Sequence, residues 1–159
     1  MAQLGSMVRT ALIVSSLERS TAFYRDLLGI AGLYNEGELT HPAGAKLLGM
    51  PEGTKVRYRI LKQAGGPNRG MVGLFELTNP TPPTVQKRKT AVNIGDACLV
   101  FYCDNVEEVH RKLVAGGHTV LCPPTHLQVT KDKGQPEMVF MDPDGVLVNL
   151  IQREPDNPN

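Results

Sequence analysis

Residues 9–29 read RTALIVSSLERSTAFYRDLLG, and this stretch holds a complete strand, helix cap, helix and stop signal. Residues 8–14 are β-branched or aliphatic for the most part, with no Gly or Pro, which predicts a strand. Ser15, Ser16, Leu17 and Glu18 have the form of a capping box, in which a serine oxygen accepts from the N3 amide and Glu18 reaches back. Apolar residues then fall at Leu17, Tyr24, Leu27 and Leu28, with Phe23 at the edge of the stripe, which is helical spacing. Gly29 ends the helix as a left-handed cap would.

Working outward, strands are predicted near 33–38 and over 55–62 and 71–78, with a short helical turn around 43–48 and a turn at Gly65-Gly66-Pro67-Asn68. The stretch 79–93 contains Pro80, Pro82 and Pro83 and has no periodicity, so it reads as a stiff linker. After it the order of elements begins again. Residues 97–103 form a strand, Asp104 or Asn105 caps a helix carrying Val106, Val109 and Leu113, and Gly116-Gly117 ends it. Residues 118–121 are a strand, a polar loop follows, and 138–141 with 146–152 form a hairpin. Its turn, Asp142-Pro143-Asp144-Gly145, has Pro to set φ and Gly to supply a positive φ.

The two halves also match residue against residue. A shift of 89 lays Arg9-Thr10-Ala11-Leu12 on Cys98-Leu99-Val100-Phe101 and Leu17 on Val106. A shift of 73 lays Leu74-Phe75-Glu76-Leu77 on Leu147-Val148-Asn149-Leu150. A duplicated βαβββ unit accounts for both. The expected organisation is one domain over 1–159, with a first module at 7–78, a linker at 79–94 and a second module at 95–154. A decorated ferredoxin-like βαββαβ domain is the competing fold.

The bulk properties narrow the function. With 159 residues, 41% hydrophobic and 21% charged, the chain is long enough for a substantial core. Its formal net charge of +1 gives no reason to expect nucleic acid or an anionic membrane as partner. The one basic run, Gln86-Lys87-Arg88-Lys89, reads as a solvated loop. Cys98, Cys103 and Cys122 are odd in number and lack CxxC spacing. Cys98 and Cys103 also fall on opposite strand faces, so a disulfide framework or zinc ribbon is not expected and the expected compartment is the cytoplasm. No apolar run reaches the ~18 residues of a membrane span. Residues 1–7 have neither the basic nor the apolar region of a signal peptide.

Residues 9–29 and the segment 138–152, MVFMDPDGVLVNLIQ, resemble the opening and closing signatures of the vicinal oxygen chelate superfamily of glyoxalases, bleomycin-resistance proteins and extradiol dioxygenases. Residues 74–78, LFELT, resemble the end of that family's first module. The resemblance implies an α+β fold in which two βαβββ modules form a curved mixed sheet around a cavity. Strand alternation then places Thr10, Leu12 and Val14 against the helix and Arg9, Ala11 and Ile13 toward the cavity. By the same parity Leu74, Glu76 and Thr78 should face inward, as should Cys98, Val100, Tyr102, Leu147, Asn149 and Ile151.

Metal-dependent members carry His, Gln or Glu at four strand positions, and the resemblance maps these to Arg9, Glu76, Cys98 and Asn149. Of the four, Glu76 alone is a usual ligand. Arg9 has no lone pair and stays protonated, so it repels a cation. No cofactor is therefore expected, with a divalent metal as the alternative. His41, His110, His118 and His126 read as surface imidazoles; His126 or His41, in loops, would be the choice for a general base.

Arg9 and Glu76 have two readings: a structural ion pair, or a catalytic couple. In the second, Arg9 receives a carboxylate or enolate oxygen and Glu76 moves a proton, without metal. Cys98 reads as a small core residue rather than a nucleophile. Arg9, Glu76, Cys98, Tyr102 and Asn149 are the candidate ligand contacts. The expected function is small-molecule binding in a cavity whose metal site is eroded, by a cytoplasmic homodimer. The alternative is a glyoxalase-type lyase, isomerase or ring-cleaving dioxygenase, metal-free or with unusual ligands.

Overall fold

A computed structural model describes residues 3–131 and 133–153. The elements run β1 (Arg9–Val14), α1 (Leu17–Thr21) continuing as a π-helical segment (Ala22–Leu27), β2 (Gly32–Glu38), α2 (Ala43–Leu47), β3 (Lys55–Lys62) and β4 (Met71–Thr78), then β5 (Cys98–Cys103), α3 (Val106–Ala115), β6 (Val120–Thr130), β7 (Lys133–Met141) and β8 (Leu147–Gln152). They form two four-stranded mixed sheets, ordered β1-β4-β3-β2 and β5-β8-β7-β6. The chain divides into two units between Thr84 and Val85. The repeated βαβββ order is thus the observed fold.

In the first unit β1 pairs parallel with β4, and β3 pairs antiparallel with both β4 and β2. One face of this sheet is covered by the helix: Leu12, Val14 and Leu74 are buried together with Leu17, Phe23 and Tyr24. Ser16 is the N-cap, and its hydroxyl oxygen accepts from the Arg19 amide at 3.3 Å. Glu18 does not reach back as the capping box predicts. It sits at N2 instead, and its carboxylate pairs with Arg57 and Arg59 of β3, each at 3.2 Å.

The helix widens after Thr21, with the Leu28 amide donating to Phe23 O at 3.0 Å, five residues back. The extra residue per turn rotates the apolar stripe. Phe23 joins Tyr24 in the core in an edge-to-face pair with centroids 5.2 Å apart, while Leu27 and Leu28 stay half-buried. Gly29, at φ 79°, then turns the chain.

In the second unit β5 pairs parallel with β8, and β7 pairs antiparallel with β8 and β6. Asn105, not Asp104, caps α3, its side-chain oxygen accepting from the Glu108 amide at 3.0 Å. Leu99, Val148, Leu150, Met138 and Phe140 form the buried face, with Val106 and Leu113 among the buried side chains of α3. The Asp142 carboxylate closes the β7–β8 turn by accepting from the amides of Asp144 at 2.9 Å and Val146 at 2.8 Å.

The hairpin β6–β7 is longer than the sequence predicts. The polar stretch expected as a loop is an edge strand with irregular register, and its residues face solvent. An edge strand tolerates Pro123 and Pro124 and needs no apolar alternation, so its signal was hidden. The basic run is held within the connection from β4 to β5. Lys87 pairs with Asp96 at 2.8 Å, and Arg88 donates to Val92 O at 2.7 Å. The Asp96 carboxyl is held down at about 2 by Lys87 and by donors from Asn93.

Candidate functional site

Each sheet has a second face, turned away from its helix, and strand register decides what lies on it. On β1 this face carries Arg9, Ala11 and Ile13, all exposed. The parallel register sets Arg9 opposite Met71, Ala11 opposite Gly73 and Ile13 opposite Phe75. On β3 the same face carries Ile60, Tyr58 and Val56, opposite Gly73, Phe75 and Leu77. Phe75 and Tyr58 stack with centroids 6.1 Å apart, and Asn35 of β2 donates to the Tyr58 hydroxyl at 3.1 Å. Leu48 and Met50, from the α2 region, pack on the Val56–Phe75–Leu77 cluster. A Cβ on Gly73 would lie 2.9 Å from Phe75 Cε2 and 3.4 Å from Arg9 Cδ. Arg9 therefore lies across the bare backbone of Gly73 beside an aromatic pair. Among the described residues, no carboxylate pairs with it.

Glu76 is not on this face, which corrects the expectation that it points inward. Its register partner is Val14, one of the helix-covered residues. One carboxylate oxygen accepts from the Leu17 amide at 2.7 Å, at the start of α1, and the other accepts from Arg57 Nη1 at 3.2 Å. The predicted contact between Arg9 and Glu76 is absent among the described residues. The two lie on opposite faces and five positions apart along the sheet, about 16 Å at strand rise. The catalytic couple and the Arg9–Glu76 ion pair both fall with that contact.

The reason is a register difference between the halves. Arg9 pairs with Met71, but its repeat equivalent Cys98 pairs with Leu147. In space the last strands are therefore related by a shift of 76, three more than the similarity of LFEL to LVNL implies. An odd slip exchanges the faces. The spatial counterpart of Glu76 is Gln152, which accepts from the Val106 amide at the start of α3 at 3.3 Å. The counterpart of Asn149 is Gly73.

In the second unit the open face holds Cys98, Val100 and Tyr102 on β5, set opposite Leu147, Asn149 and Ile151 on β8. Tyr102 is 54% exposed and Val100 57%, so the middle of this face is uncovered. Arg153 lies 6.0 Å above the Tyr102 ring. Cys98 is exposed on this face and is not the small core residue expected; its thiol donates weakly to Leu99 O at 3.9 Å, and partial desolvation pushes its pKa up, which disfavours a thiolate. All three cysteines are free.

Sequence reasoning missed Glu137. It stands on β7 opposite Ile151, on the same face as Asn149. Its two carboxylate oxygens accept from Gln135 Nε2 and Asn149 Nδ2, both at 3.2 Å. Asn149 Nδ2 also donates to Met138 O at 3.3 Å. The predicted strand began at residue 138; the alternation through Val139 and Met141, carried one step back, would have reached Glu137.

The histidines fall elsewhere. His41 Nδ1 accepts from the Ala43 amide at 3.1 Å, next to α2. His126 lies on β6 rather than in a loop, paired with Pro136 on the face opposite to Thr125 and Glu137, with Nε2 3.4 Å from Gln128 Oε1. His110 is on α3, and His118 precedes β6.

The donor set does not fit a divalent metal of the usual kind. Arg9 carries a fixed positive charge, Glu76 is turned to the helix, Cys98 holds its proton, and Asn149 offers a neutral amide. Among the described residues, no three His, Cys, Asp or Glu side chains are grouped to hold an ion.

A two-module βαβββ fold with an open face on each sheet defines a class of protein, and residues 6–150 match the model of the Glyoxalase/Bleomycin resistance protein/Dioxygenase superfamily. The chain belongs to that superfamily. Among solved structures it is similar to a glyoxalase family protein from Bacillus cereus, with TM-score 0.72, 17% identity, and 95% of each chain covered. It is also similar to an antibiotic binding protein from Streptomyces, with TM-score 0.60 and 18% identity over 97% of this chain and all of that one (100%). A glyoxalase I mutant from Zea mays gives TM-score 0.61 and 19% identity over 96% of this chain but 46% of its own. At these identities the likeness is one of fold. No curated protein matches the chain. Among the described residues, no helix is long and apolar enough to cross a membrane.

Proposed function

We propose that this protein is a small-molecule binder that uses the open faces of its sheets and does no metal chemistry there. The observation that carries this reading is Arg9: a permanent cation, lying across Gly73 beside the Tyr58–Phe75 stack, with no carboxylate partner among the described residues. A guanidinium next to an aromatic pair suits the acidic group of a flat, partly apolar molecule. In the second unit Tyr102, Asn149 and Cys98 supply ring, amide and thiol contacts on the open face. The Streptomyces relative, an antibiotic binding protein, supports a binding role for this fold.

Homodimerisation belongs to the same reading, since Leu33 and Tyr34 on the edge strand β2 and Leu127 and Val129 on the edge strand β6 leave apolar surface uncovered in the single chain. Native mass spectrometry of the purified protein tests both, reporting assembly mass, retained metal and retained small molecule together. A dimer with a bound organic molecule that is lost in Arg9→Ala is expected. Turnover of hemithioacetal or catechol substrates that depends on added Mn²⁺, Ni²⁺ or Fe²⁺ would overturn the proposal in favour of a lyase or dioxygenase.

A further inference from the structure

We infer that Glu137, with Asn149 and Gln135, forms an acceptor site for a protonated amine or amidine on the open face of the second sheet. The inference rests on the small-molecule reading above and adds a ligand class for the second sheet, distinct from the acidic group set against Arg9 on the first. Glu137 is oriented from two sides, by Gln135 Nε2 and by Asn149 Nδ2, each at 3.2 Å. Both donors are neutral amides, and among the described residues no Lys, Arg or His pairs with the carboxylate. A carboxylate oxygen has room for two hydrogen bonds, so each oxygen keeps one acceptor direction open. The Asn149 side-chain nitrogen is engaged with both Glu137 and Met138 O, so its amide oxygen is the end left free.

Three acceptor atoms thus gather around one negative charge that, among the described residues, no cation pairs with, on a half-buried surface. Such a site is poor for anions and suits a group that brings several N–H donors and a positive charge. The neighbours fit the rest of such a molecule. Glu137, Ile151 and Tyr102 stand in one row across β7, β8 and β5, and Val100 lies next to that row. A ring resting on Val100 and Tyr102 would therefore set its charged substituent toward Glu137.

The test uses the intact protein and three matched aromatic probes: benzamidine, benzyl alcohol and benzoate. Amide chemical shifts are followed by heteronuclear NMR. At the amides of Met138 and Asn149, benzamidine should bind at least ten times more tightly than either of the others and should weaken with added salt, while benzoate, which suits Arg9, should shift amides of the first sheet. Glu137→Gln keeps the hydrogen-bonding shape and should abolish the preference; Glu137→Asp is the second variant should the first not fold. Equal affinity for all three probes at these amides, or binding there by none, refutes the inference. The general binding reading is judged separately, on whether the purified protein retains an organic molecule, so the two can fail independently.

Discussion

Replacing Glu76 with alanine removes a link between the two ends of the first βαβββ unit. Its carboxylate accepts from the Leu17 amide at 2.7 Å, a donor otherwise unsatisfied at the helix start, and from Arg57 at 3.2 Å. The side chain is 18% exposed, and that of Arg57 46%. A hydrogen bond to a charged group contributes about 1.5–3 kcal/mol. The half-exposed ion pair adds about 0.2–1 kcal/mol. Together the loss should be about 2–4 kcal/mol, which for a chain of this size lowers Tm by roughly 4–16 °C. Glu76→Gln keeps an acceptor for Leu17 and should cost only about 1 kcal/mol. Calorimetry of the two variants reads this directly, with native mass spectrometry showing that any ligand is retained. Loss of ligand or activity at unchanged Tm would refute the reasoning, because it would return Glu76 to the binding face.

Gly73→Ala should destabilise by about 1–3 kcal/mol in urea, since the new methyl must move the Phe75 ring, 2.9 Å away. An unchanged midpoint would mean that the Phe75 ring does not lie over this position. Asn105→Ala removes the α3 cap and should cost about 1 kcal/mol, measured the same way. For Asp96, whose folded pKa is depressed from 3.8 to about 2, the stabilisation is fully present above pH 3.8 and is lost as pH falls through about 2. The Asn93 amide signal should titrate near that lower value, and a midpoint close to 4 would show that the Lys87–Asp96 contact does not persist in solution.

The fold was legible because its signals are local and repeated. The boundaries of β3 and β4 follow alternation and turn residues, and the second helix lies between a capping Asn and two glycines. The site was less legible because it depends on register, which is a relation between strands distant in sequence. Leu74-Phe75-Glu76-Leu77 and Leu147-Val148-Asn149-Leu150 look alike since both alternate under a helix, yet the two segments differ by three places in their pairing with the first strand. That put Glu76 on the wrong face and left Gly73 unconsidered. Glu137 was hidden for another reason. The hairpin partner of its strand is a solvent-facing edge containing two prolines, so no apolar pattern marked where pairing continued.

The hydrogen bonds by which Glu76 and Gln152 cap the two helices bear on how such a chain is built. Glu76 reaches back 59 residues to the first helix, and Gln152 reaches back 46 to the second. Each half therefore ties its final strand to its opening turn with its own clasp, and neither borrows the other's chain to do so. A gene duplication that copied one half would have copied a unit already fastened at both ends. The exposed face of such a unit could exchange side chains without loosening the fold beneath.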